Sequence, residues 1–366
     1  MNDPLIVDLD VEETDSVAPW RAGSLTLVAA PLLVVAVLVA LVVPRVGSRP
    51  AAEPAPTPAA TRDVMMIFTA PPPTIPVVPT PVPGTPGESG DPEVLEDQRW
   101  APFAPGYPGR GDVAEAVLDG RAYVIGGSGT SEDGRHVYRY DPRTGERERA
   151  ADLPISIDHA MAATLGGRIY VFGGYVFGRP TERVFSLGSN DANWIEHSPM
   201  PAPRAAGGAA VLHGRIWLVG GLGADGSWIR DTWSWDGSGR WSWGFAPLPT
   251  PRDHVAVGAF NGRICAAGGN GGERAFECYA PVRNEWTVMP PLRKNAIGAR
   301  AAEVAGWFWV IGQDVHVFTV DHWHFGPRPQ TPRAGHALVT IDGALYVIEG
   351  ALGFGPTHTE MFRPPL

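Results

Sequence analysis

The sequence predicts an all-β domain of six repeated units, preceded by a membrane-crossing segment and a proline-rich tether. Three observations carry this. A strand–turn–strand pattern recurs six times after residue 96, a second set of residues keeps phase with it, and the last unit lacks an outer strand that the start of the domain can supply. Repetition at a period of tens of residues marks folds built from stacked supersecondary units.

Each unit reads as a small-residue strand, a turn glycine, an apolar strand and Gly-Gly. It occurs as AVLDGRAYVIGG, AATLGGRIYVFGG, AAVLHGRIWLVGG and VGAFNGRICAAGG, then degraded as AEVAGWFWVIGQ and VTIDGALYVIEG. The turn glycines are Gly120, Gly167, Gly214, Gly262, Gly306 and Gly343. Ten residues before each stand Arg110, Ile157, Arg204, Arg252, Ala296 and Arg333. Ten before those stand Trp100, Arg147, Trp194, Ser242 (between Trp241 and Trp243), Trp286 and Trp323. The Gly-Gly pair ends a strand where a sharp turn needs positive φ.

Period, turn glycine, Gly-Gly and the following Trp together resemble kelch repeats over residues 98–366. The resemblance implies a six-bladed β-propeller, with each repeat a four-stranded blade. The sixth unit ends near Glu360 and Arg363 without a fourth strand, so residues 100–105 are expected to complete it and close the ring.

Before the domain, residues 1–23 form an acidic tail of net charge −5, and residues 24–43 (SLTLVAAPLLVVAVLVALVV) carry no charge. Twenty such residues match the ~20 needed for a transmembrane helix. The run exceeds a signal-peptide core of roughly 7–15 residues and follows acidic rather than basic residues, which favours an uncleaved single-pass anchor. Residues 44–95 form a Pro-rich, disordered stalk. Arg45, Arg49 and Arg62 against Arg21 would put the propeller, residues 96–366, in the cytoplasm. The stalk and the cysteines favour the outside, and the reading adopted is a bacterial cell membrane with an extracytoplasmic propeller. The bacterial assignment rests on arginine bias: Lys294 is the single lysine beside 28 arginines.

Net charge is −10 overall but only −3 over 96–366, which argues against a nucleic-acid binder. Two cysteines exclude a disulfide-rich scaffold and a Cys-only zinc site. Cys265 and Cys278 flank a loop centred near Gly271–Gly272, and in a symmetric hairpin they face each other as a disulfide would require. The alternative is two buried free thiols.

Propellers of this type bring the linkers between blades and the loops between second and third strands to one mouth of the channel. The linkers carry Arg110, Asp112, Asp158, His159, Arg204, Arg252, Asp253, His254, Arg333 and His336; the loops carry Tyr175, Phe177, Trp228 and Phe354. Arginines beside aromatics suit a protein, sugar or acidic ligand; the alternative is that the repeated arginine braces neighbouring blades. Glu115 and Arg300 interrupt the small apolar first strands and suggest a polar or watered channel. His322 and His324 share a strand face, but two residues make no metal set.

The expectation is a membrane-anchored propeller that binds a protein or glycan partner at the mouth, without cofactor or metal. The family resemblance also admits a carbohydrate-active enzyme. Sialic-acid mutarotases of this type need mainly charged channel groups. Galactose-oxidase-like copper enzymes need a Cys–Tyr crosslink that the paired cysteines do not permit. No nucleophile motif, phosphate loop or carboxylate pair at telling spacing is present.

Overall fold

The computed structural model describes residues 95, 98–129, 133–350 and 356–365. The acidic tail, the apolar run, the Pro-rich tract as far as residue 94 and the loop residue Phe354 lie outside these. Among the described residues no helix is long and apolar enough to cross a membrane.

Six four-stranded antiparallel sheets form the fold. Blade 1 runs Ala114–Leu118, Arg121–Ile125, Val137–Tyr140 and Arg147–Arg149. Blades 2 to 5 repeat this order, beginning at Met161–Leu165, Gly208–Leu212, Ala256–Phe260 and Arg300–Val304. Blade 6 takes Ala337–Ile341, Ala344–Ile348 and Pro356–Phe362 from the end of the chain and Ala101–Pro108 from its beginning. That strand pairs antiparallel with Pro356–Phe362, so the ring closes with both ends of the domain in one sheet.

The core is divided into six apolar wedges, one at each blade–blade boundary. Alternation explains the division: successive residues of a strand point to opposite faces, and each face meets a neighbouring blade. In blade 1, Tyr123 and Ile125 face blade 2 while Ala122 and Val124 face blade 6. Leu95, at the end of the tract read as stalk, is buried in the wedge between blades 5 and 6.

The phased tryptophans tie blades together. Trp194, Trp286 and Trp323 each donate Nε1–H to a carbonyl near the end of the preceding blade, at Ala151, Ala246 and Pro290. Trp100 does the same to Pro327 across the closure, at 2.7 Å. Arg147 and Ser242 hold the two slots without Trp. The adjacent Trp241 buries its Nε1 without a hydrogen bond.

The Gly-Gly pairs sit where blades nearly touch. A Cβ on Gly173 would lie 2.1 Å from the Arg204 carbonyl, a distance no side chain tolerates. Blade 6 breaks the rule: Glu349 holds the first-glycine slot at φ 57, fully buried. Its carboxylate accepts from Arg110 Nε at 2.8 Å, an ion pair between the last blade and the first.

Candidate functional site

The mouth is organised by backbone. Each linker passes through one residue of left-handed conformation: Asp112, His159, Ala206, His254, Gly298 and Gly335, with φ of 49–64°. The amides of His159, Ala206, His254, Gly298 and Gly335 each donate to the carbonyl of the preceding member, at 2.7–3.2 Å. Val113 N–H closes the circle on Gly335 O at 3.2 Å. The side chains at these six positions therefore stand round the axis. Three are Ala or Gly; the other three are Asp112, His159 and His254.

The polar groups are ordered by their neighbours. Asp158 accepts from His159 Nδ1 at 2.5 Å, and Asp253 from His254 Nδ1 at 2.7 Å. Asn270 and Trp228 Nε1 also donate to Asp253, at 2.6 and 3.2 Å. Burial works against the charge of Asp253, yet hydrogen bonds from His254, Asn270 and Trp228 hold its carboxyl below the usual carboxylate range. The imidazoles of His159 and His254 meet edge to face at 4.9 Å. Tyr175 stands against His159 at 5.2 Å.

Loops between second and third strands rise beside this floor, pinned by bridges such as Asp158 to Tyr175 and Asp253 to Asn270. Trp228, 46% exposed, lies across Gly271 of the next blade, where a Cβ would strike its ring at 2.8 Å. Phe177 occupies the tip of a two-residue hairpin at φ 50 and is 99% exposed.

The arginines are a correction. Arg110, Arg204, Arg252 and Arg333, expected at the binding surface, are all buried at 0–4% exposure. Arg252 binds Glu277 at 2.5 Å and donates to the carbonyls of Thr250, Ala266 and Gly268. Arg333 pairs with Glu360 and donates to the Glu349 and His358 carbonyls. Arg204 instead stacks over Trp233 at 3.8 Å. A buried cation that saturates blade carbonyls is a brace, and the half-buried groups left at the floor are Asp112, Asp158, His159 and His254. His336 is also buried, both ring nitrogens without a hydrogen bond. Burial, with Arg300 and Arg333 nearby, holds it well below the usual imidazole range.

Beyond the ring, Arg300 reaches from blade 5 to Glu115 of blade 1 at 3.1 Å. It also donates to Val113 O at 2.9 Å. Burial pushes the Glu115 carboxyl up against the opposing pull of Arg300. The channel holds a cavity of about 400 Å³ lined mainly by Ala and Val, with Glu115, Thr164, Glu303 and Thr340 as its polar groups. Cys265 and Cys278 lie in register on neighbouring strands and are disulfide-bonded, remote from this chemistry. His322 and His324 lie together on the outside, their rings 4.3 Å apart, with His322 engaged by Asp321.

The floor cluster was visible as residue types in the linkers, but its convergence was not, because it depends on which of six blades stand opposite.

Comparison with known proteins agrees with this architecture. The kelch motif family matches residues 110–154, the first blade. Kelch-like protein 26 of Danio rerio is 26% identical over 120 residues, 29% of this chain and 20% of that protein. The chain thus spans about a fifth of that relative's length. The solved structure of YjhT superposes with a TM-score of 0.64 at 16% identity, covering 71% of this chain and 97% of that one. Repeat, ring closure and superposition lead to one assignment: the described domain is a six-bladed β-propeller whose first blade matches the kelch motif.

Proposed function

We propose that this propeller is a binding module whose ringed mouth captures a protein or glycan partner. In this reading residues 24–43 anchor it in a bacterial membrane and the Pro-rich tract holds it on the outer side. The observation that carries the reading is Phe177: a bulky aromatic held in left-handed backbone, almost wholly in solvent, beside the mouth. Such placement costs about 1–3 kcal/mol and is kept mainly where a site needs it. Trp228 and Tyr175 extend the aromatic wall, and together they offer apolar area at low entropy cost. The carboxylates and imidazoles below suit hydroxyl groups or a cationic side chain. The burial of the arginines argues against an acidic ligand. The Cys265–Cys278 bridge supports an oxidising compartment.

Carbohydrate chemistry in the channel is the second reading, favoured by the Glu115–Arg300 pair. The pair is mutually engaged and set among small apolar residues, which favours a structural role.

The test compares full-length protein with a Phe177→Ala/Trp228→Ala variant, for capture from host surface extract and on an array of glycans. Capture should fall at least tenfold with melting unchanged. Equal capture by the variant would remove the mouth as the binding surface.

A further inference from the structure

We infer that the floor of the mouth is a divalent transition-metal site of the zinc class, with Asp112, His159 and His254 as ligands. Their ligand atoms all lie within 4.8 Å of one another. The ring backbone turns all three side chains to one axis, so the ligands come from blades 1, 2 and 4 without any shared sequence motif.

The arrangement of partners argues for a cation. With Nδ1–H donated to Asp158 and Asp253, each histidine keeps a lone pair on Nε2. His159 Nε2 stands 3.4 Å from an Asp112 carboxylate oxygen. In that tautomer two imidazole lone pairs and a carboxylate stand within 4.8 Å of one another and repel unless a proton or a metal ion sits among them. A ligating imidazole whose other nitrogen is held by a carboxylate is the common second shell of protein zinc sites. Here both histidines have it, each from the residue immediately before.

Zinc-class ions take imidazole nitrogen at about 2.0–2.1 Å and carboxylate oxygen at about 2.0–2.2 Å, usually with four ligands. Three side chains from the ring leave a fourth ligand position to be filled from outside them. A partner's oxygen or nitrogen donor could occupy it. In that respect the inference deepens the binding reading, but the metal site itself needs no partner.

The ring also supplies its own controls. Ala206 holds an equivalent left-handed position, so alanine at 159 or 254 keeps the backbone circle. The full-length protein in detergent, stripped with chelator, is titrated with Zn²⁺ by calorimetry and with Co²⁺ by visible absorption. One equivalent should bind, and Co²⁺ should show the intense bands of a four-coordinate site. His159→Ala and His254→Ala should each weaken binding at least tenfold, and Asp158→Asn or Asp253→Asn by about 10–100-fold. His322→Ala/His324→Ala should leave the stoichiometry at one. The proposal is overturned if no saturable equivalent binds. It is equally overturned if the His159→Ala/His254→Ala double variant binds as wild type, or if the His322/His324 variant abolishes binding. Metal binding without partner capture would leave this site standing and remove the binding function.

Discussion

Blades 3 and 4 place an arginine at the same point of the repeat and treat it differently. Arg252 lies opposite Glu277 and has every nitrogen of its guanidinium hydrogen-bonded. Arg204 meets Trp233 in the corresponding place, donates one hydrogen bond to Asp231 O at 2.9 Å, and leaves Nε and Nη1 without one. Burial pulls Arg204 down to about 9, whereas Glu277 offsets part of that loss for Arg252. The difference lies in one third-strand position. Across the blades it reads Tyr138, Phe185, Trp233, Glu277, His316 and Glu360, each facing the same second-strand residue in register. Where it is Glu, the arginine is an ion-paired brace; Arg204 stacks on Trp233, and Arg110 lies over Tyr138 while taking its ion pair from Glu349 of the last blade. In blade 2 the pair becomes Ile157 and Phe185, a purely apolar version. The same place in the repeat therefore carries an ion pair, a cation–aromatic stack or an apolar contact.

The comparison breaks first at Arg252. Arg252→Ala strands the Glu277 carboxylate in the interior and should cost about 3–5 kcal/mol, read from urea unfolding. A loss under 1 kcal/mol would show that the pair does not brace the blade.

Blade 5 offers a sharper test through pH. His316 fills the third-strand position with both nitrogens buried and without hydrogen bonds. Burial pulls it down to about 4, from 6.5. The unfolded chain takes up this proton near pH 6.5 and the folded chain only near 4, so stability falls as pH drops through that window. The loss from this group is at most about 3 kcal/mol. His316→Phe should flatten the decline; an unchanged pH profile would assign it to other groups.

The smallest effect is expected at Arg204. Arg204→Met replaces a poorly hydrogen-bonded buried cation with an apolar chain of similar length that still covers Trp233. Stability should stay within about 1 kcal/mol of wild type. A loss as large as that of Arg252→Ala would mean that stacking on Trp233 matches an ion pair, and the contrast between the blades would vanish.

Much of the fold was legible in order because it is local. Turn glycines and the alternation of small and apolar strands depend only on nearby backbone, so six blades could be counted. The missing outer strand of the last unit even announced how the ring closes. The arginines were legible as a repeated marker but not in their role. A guanidinium beside loop aromatics reads the same whether it faces solvent or a blade carbonyl. All four turn inward whatever the third-strand residue, so blade packing sets the burial and register only sets the partner.

By itself, then, the sequence determined the repeat, the blade number and the facing of Cys265 with Cys278, because period and hairpin symmetry are properties of neighbours along the chain. Tertiary structure alone decided that four arginines turn inward and that Asp112, His159 and His254 converge. The convergence spans residues 112 to 254, and closing a six-fold ring of backbone hydrogen bonds is what sets those three side chains round one axis.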